Sequence, residues 1–267
     1  MPTDPPAFDA AGIAVGLLLA AVGTWSWACY ARLLSRRLVG RPLLRPRRPA
    51  PPPPVAAAVV AGLLLFVYGI NLFSGGDAGA QPPVVDARTV FGVACFNLFF
   101  AGLLELLRAT GRPSDRRPSR PWPFDLRDAA LVYGLVVPPT VVLLVALIPF
   151  RDPENANTLL RLLADEFDAG VFAAVVFSAV VAAPLAEEMI FRVILQPTLT
   201  RFFDMRWAVV VTAVLFASIH GPYDAVPLLP LSLALGWLYA VRGSVASVVL
   251  LHMIFNAVFL AFALLTT

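Results

Sequence analysis

Long apolar runs separated by short polar breaks dominate the chain from residue 10 onward. A membrane-spanning helix needs about 20 such residues, because a hydrocarbon core of about 30 Å is crossed at 1.5 Å of rise per residue. Runs of that kind lie at Ala10–Ala31, Val55–Phe73, Thr89–Leu107, Ala129–Phe150, Val171 to about Leu195, and Val245–Leu265. Two shorter runs, Trp207–His220 and Ala225–Val241, flank the helix breaker Gly221-Pro222-Tyr223-Asp224. Counting both predicts an all-α polytopic membrane bundle of about eight transmembrane helices, some short or broken. No internal repeat is visible, since the polar residues of the last hundred positions have no counterpart in the first half.

Composition sharpens this reading. Of 267 residues, 59% are apolar and only 14% charged, against about a quarter charged in a soluble globule. The longest polar stretches are about 20 residues, too short for a nucleotide-binding fold or a soluble catalytic module. All 20 basic residues are Arg, and 16 of them fall in four loops: Arg32 with the Pro-rich loop after it, Arg108 to Arg127, the Arg201/Arg206 turn, and the Arg242 turn. The positive-inside rule makes those loops cytoplasmic and both termini external, with the five-acid loop after Arg151 also outside. Arg placed in loops between membrane segments signals lipid headgroups and no nucleic acid. The Pro-rich basic loop reads as a stiff, solvated linker near anionic headgroups rather than a partner-binding motif. Asp4 and Asp9 make the N-terminus unlike a cleaved signal, so the first run is expected to be a permanent span. Cys29 and Cys95 both sit in apolar runs and read as buried structural thiols. A multi-pass protein of the cell (inner) membrane is expected.

One Arg remains. Arg192 lies inside an apolar run with Glu187 and Glu188 just before it. Ionisable groups inside a membrane are costly and usually functional; an ion-pair staple between helices, or snorkelling to headgroups, is the alternative. Glu188 and Arg192 are i, i+4 and share a helix face, whereas Glu187 is rotated by about 100° and must meet another span. Pro184 should break the helix and start a half-helix whose positive end faces the two Glu. The chain has two histidines, His220 and His252, both in the last apolar segments, and His252 shares a face with Asn256 at i+4. A lone membrane histidine is also a common helix–helix hydrogen bonder. Depth brings the group together. Glu187, His220 and Asn256 each lie 14 residues from a cytoplasmic Arg, or roughly 21 Å, and His252 roughly 15 Å.

Such a set suits water chemistry at a carbonyl. A Glu hydrogen-bonded to an imidazole can hold and deprotonate water, and donors at His252 and Asn256 can stabilise an oxyanion. The carbonyl available inside a membrane is a peptide bond. No Ser/His/Asp grouping exists, so nucleophilic acyl-enzyme chemistry is not favoured. Zinc is the competing chemistry, with Glu187, His220 and His252 as its three ligands and Asn256 behind them. A proton-coupled transporter and a catalytically silent peptide-binding or bacteriocin-immunity membrane protein are the other classes.

The motifs EEMIFR, FASIH and HMIFN match the EExxxR, FxxxH, HxxxN order of the CAAX protease and bacteriocin-processing (CPBP, or Abi) family, which residues 168–263 resemble. The four preceding spans, in residues 1–167, are not part of the resemblance. It implies an intramembrane endopeptidase similar to type II CAAX prenyl proteases, with a cavity open to the cytoplasm and a membrane-associated peptide or protein as substrate. Carried over by motif, Glu187 with His220 activates the water, His252 with Asn256 forms the oxyanion hole, and Glu188 and Arg192 support them. No cofactor is expected on this mechanism. Val193 stands where the family usually has Gly, which puts local helix packing in question.

Overall fold

The computed structural model describes residues 10–46, 52–73, 86–110, 121–150 and 169–266, the side chains of 10, 68–73 and 222 excepted. The acidic loop after Arg151, the centre of the Pro-rich loop, half of the Arg108–Arg127 linker and the first nine residues lie outside them. Eight helices coincide with the apolar runs: α1 (Ala10–Leu38), α2 (Val55–Phe73), α3 (Ala87–Ala109), α4 (Trp122–Leu147), α5 (Ala169–Leu199), α6 (Met205–Ser218), α7 (Pro222–Arg242) and α8 (Val245–Thr266). Six are long and apolar enough to cross a membrane; α6 and the Val55–Val67 part of α2 are shorter apolar helices. Among the described residues all regular structure is helical.

The helices overrun the apolar windows where their polar ends still form backbone bonds. α1 continues through Arg36 and Arg37. α4 starts seven residues before Ala129, with Pro in its first turn, so Asp125, Arg127 and Asp128 are helical. Pro is tolerated there because the first N–H groups of a helix have no partner to lose. Cys29 is buried as expected, but Cys95 is exposed on α3. That corrects the reading of Cys95 as a buried thiol: in a membrane protein an apolar run can face lipid, so apolarity alone does not report burial.

α5 lies at the centre, touching α2, α3, α6, α7 and α8, while α4 packs on α1, α7 and α8. α1 meets α4 closely because Gly134 has no side chain; a Cβ there would stand 2.6 Å from Cys29 Sγ. Around this contact Trp25 Nε1 donates to Ala130 O at 2.8 Å and Tyr30 Oη to Leu135 O at 2.9 Å. The constant offset shows both helices advancing in the same direction where they touch. Strict alternation of eight spans makes α1 and α4 antiparallel, so α1 departs from that alternation. The segment after α1 then brings Arg45 to the end of α4 where Asp128 lies, with Arg242 Nη1 donating to Arg45 O at 2.8 Å.

Tyr30 also repairs a backbone defect. α4 contains Pro138 and Pro139; Pro139 has no N–H for Leu135 O, four residues back. The Tyr30 hydroxyl supplies the missing donor. Apolar surroundings demand such a repair, since no bulk water is there to provide it.

Candidate active site

The same defect shapes α5. Two π-helical turns, Ser178–Ala182 and Met189–Leu195, bracket the stretch holding Pro184, Glu187 and Glu188. The Ala183 N–H bonds Ser178 O, five residues back. Next in that register is residue 184, a proline without an N–H, whose acceptor would be Ala179 O. Asn256 Nδ2, from α8, donates to Ala179 O at 2.8 Å instead. The helix therefore runs on through Pro184, where the sequence suggests a break: the π turn and the Asn256 amide absorb the gap. Each π turn also adds a residue to a turn, rotating the residues beyond it about the helix axis. π turns concentrate at functional sites for that reason.

Glu188 and Arg192 are both fully buried and pair at 3.1 Å, as their spacing predicts. Glu188 Oε1 also accepts from His252 Nδ1 at 2.9 Å, with His252 only 3% exposed. Because a carboxylate paired to Arg can only accept, that bond assigns a proton to Nδ1. Arg192 Nη2 donates to Ser232 Oγ at 2.8 Å and Ser232 O at 3.3 Å on α7. The Arg192 guanidinium carbon lies 4.3 Å from the Phe216 ring centroid, a cation–π contact in a dry site. Glu188 Oε2 and Arg192 Nε, both buried, have no hydrogen-bond partner among the described residues. Each such group costs about 1–3 kcal/mol, a cost that a staple built for stability alone would avoid.

Glu187 meets another span, as its position on the helix requires. The group opposite it is His252 Nε2, 3.7 Å from Glu187 Oε2. That is too long for a hydrogen bond and short enough for both atoms to hold one intervening group. His220, the expected partner of Glu187, shares no hydrogen bond with it. Its Nδ1 lies 2.7 Å from Phe216 O, which leaves Nε2 free. Phe216 connects the two histidines, its centroid 4.7 Å from the His220 ring and 5.6 Å from the His252 ring. Asn256 keeps a second amide N–H beyond the one given to Ala179. The structure thus joins Glu187, Glu188, Arg192 and His252 directly, places His220 across Phe216, and ties Asn256 to the backbone behind the two Glu. Among the described residues, no three His, Cys, Asp or Glu come together as a set that could hold a metal ion.

Sequence reading missed several parts. Gln196 prolongs the Glu188–Arg192 face by another four residues, and its fully buried amide donates to Gly236 O at 3.0 Å. Arg192 with Ser232 and Gln196 with Gly236 fix α5 and α7 in one parallel register. The i, i+4, i+8 spacing was the available signal for Gln196; nothing distinguishes Ser232 from other hydroxyls along α7. At the polar end, Arg242 pairs with buried Asp128 at 2.6 Å, and Asp125 accepts from Ser244 at 2.9 Å and Ser247 at 2.6 Å. Arg242, expected to anchor in headgroups, instead ties α7 to α4 and to the segment after α1, while Asp125 ties α4 to the start of α8.

Fold and site define a polytopic helical membrane protein with a buried Glu/Arg/His network. Residues 169–258, about a third of the chain, match the family model described as type II CAAX prenyl endopeptidase Rce1-like. That span contains EExxxR, FxxxH and HxxxN, the three motifs that carry the resemblance to CAAX proteases. No curated protein and no solved structure matches the chain.

Proposed function

We propose that this protein is an intramembrane endopeptidase that hydrolyses a peptide bond of a membrane-associated or C-terminal-tail substrate by a glutamate-activated water. The observation that carries the reading is Glu187 held 3.7 Å from His252 Nε2 while Glu188, paired to Arg192, fixes the other nitrogen of the same ring. Positioned acid–base groups of this kind are worth a hundredfold or more in rate, on the order of 3 kcal/mol.

Glu187 takes a proton from water, whose oxygen adds to the scissile carbonyl carbon. His220, with its Nδ1 committed to the Phe216 carbonyl, offers Nε2 as a second hold on that water. The developing oxyanion is met by Nε2–H of a protonated His252 and the spare N–H of Asn256. Collapse of the intermediate breaks the C–N bond, and the proton on Glu187 passes to the leaving amine. Glu188 and Arg192 are positioning residues: they orient His252 and touch no reacting atom. The reaction uses no metal. Support for that reading is that the described residues bring no three metal ligands together; the engaged Nδ1 atoms of the two histidines do not bear on it, since each leaves Nε2 able to ligate.

Comparing membrane and secreted peptides of wild-type cells with those of Glu187→Gln and His220→Ala strains tests the function. The proposal expects peptides present only in the wild type; identical peptide sets would overturn it. Chelation tests the mechanism separately. Full activity is expected to survive exhaustive chelation, whereas a loss restored by stoichiometric zinc would assign Glu187, His220 and His252 as ligands.

A further inference from the structure

A second concave site lies away from the Glu/His network. A groove of about 640 Å³ opens between α1, the segment after it, α4 and α7. Its floor is apolar, formed by Leu33, Leu135, Trp237 and Val241, and its rim carries Arg37 and Arg41. We propose that it binds one anionic phospholipid of the surrounding bilayer, the phosphate held by the two guanidiniums and an acyl chain laid over the apolar floor.

Two observations support this occupant. First, the charge is unmatched: Arg37 and Arg41 form no ion pair among the described residues, whereas Arg108, Arg127, Arg192 and Arg242 all pair with carboxylates. A phosphate complements a pair of guanidiniums with two or more charge-assisted bonds. Second, the walls are built. Gly40 adopts φ +64°, and the bonds Gly40 N to Arg37 O (3.0 Å) and Arg41 N to Arg36 O (2.8 Å) close a left-handed helix cap that sets both arginines on one lip. Beyond the cap Leu44 is 4% exposed, and the Arg45 carbonyl is gripped by Arg242, so the far wall is anchored too. The first part of the Pro-rich loop is thus folded onto the bundle, not a solvated linker. A volume of this size lies within the range of small-ligand sites.

Native mass spectrometry of the purified full chain, after exchange into mixed phosphatidylglycerol and phosphatidylcholine, tests the proposal. Each interfacial Arg is worth about 1 kcal/mol toward an anionic lipid. The wild type is therefore expected to retain phosphatidylglycerol over phosphatidylcholine by ten- to thirty-fold. Arg37→Gln/Arg41→Gln should bring that ratio close to one, and Arg37→Lys/Arg41→Lys should keep most of it. Trp237→Ser should weaken retention of both lipids. Equal retention by the wild type, a preference undiminished in the Gln double variant, or full displacement by free glycerol phosphate would each overturn the proposal. The Lys double variant keeps the test decisive if the Gln variant fails to fold.

Discussion

The repair of Pro184 by Asn256 gives a quantitative prediction that needs no substrate. In Asn256→Ala, Ala179 O loses the donor now 2.8 Å away. An unsatisfied buried acceptor costs about 1–3 kcal/mol, and hydrogen bonds measured inside membranes fall toward or below the lower end of that range. A loss of about 1–1.5 kcal/mol is therefore expected. Pro184→Ala restores an N–H to residue 184, and α5 can then satisfy Ala179 O itself. In that background Asn256→Ala should cost only a few tenths of a kcal/mol of packing, leaving a coupling energy of about 1 kcal/mol, roughly five-fold in the unfolding equilibrium. SDS-driven unfolding of the wild type, both single variants and the double variant in lipid–detergent micelles, monitored by Trp fluorescence, measures the cycle. Equal costs in the two backgrounds would refute the repair. The same reasoning expects Pro184→Ala to be at least as stable as wild type, because residue 184 then adds its own N–H to the π turn.

Buried charge and packing supply the other predictions. Arg192→Met leaves the Glu188 carboxylate buried without its cation and should cost about 3–5 kcal/mol, read as loss of folded protein in membranes; Glu188→Gln/Arg192→Met should recover accumulation without activity. Asp128→Asn strips the partner of Arg242 and should lower stability by about 3 kcal/mol in the SDS assay. Gly134→Ala should cost about 1–3 kcal/mol, since its Cβ would sit 2.6 Å from Cys29 Sγ. Adding Cys29→Ala should return most of that loss, and no recovery would place α1 elsewhere.

Much of the fold was legible in the apolar pattern. The run Val55–Phe73 is the helix itself, and the short pair around Gly221 became α6 and α7. The Glu188–Arg192 pair came from spacing alone, and so did the need for Glu187 to find a partner on another helix. Which partner it finds was not legible. His220 and His252 lie at similar distances from their anchors, and what separates them is the rotation of α5, set by π turns that leave no residue-type signature. Asn256 was read as a donor, but its acceptor is a backbone carbonyl orphaned by a proline 72 residues away in the chain. Such a pairing exists only in three dimensions. The sense of α1 against α4 was misread: charge counting puts the loops after α1 and before α4 on one side, which makes the two helices antiparallel, whereas their contacts run in parallel. Arg242 was counted as a headgroup anchor because its partner Asp128 lies outside the apolar window, in turns of α4 that look like loop.

The central claim is that Glu187 drives water onto a peptide bond. Purified wild type and Glu187→Gln, reconstituted in nanodiscs with a membrane-peptide library in ¹⁸O-labelled water, test it most directly by mass spectrometry. N-terminal fragments whose new C-terminal carboxyl carries a single ¹⁸O are expected from the wild type and none from the variant. Fragments formed equally by both proteins, or no fragments from either while both remain folded, would contradict it.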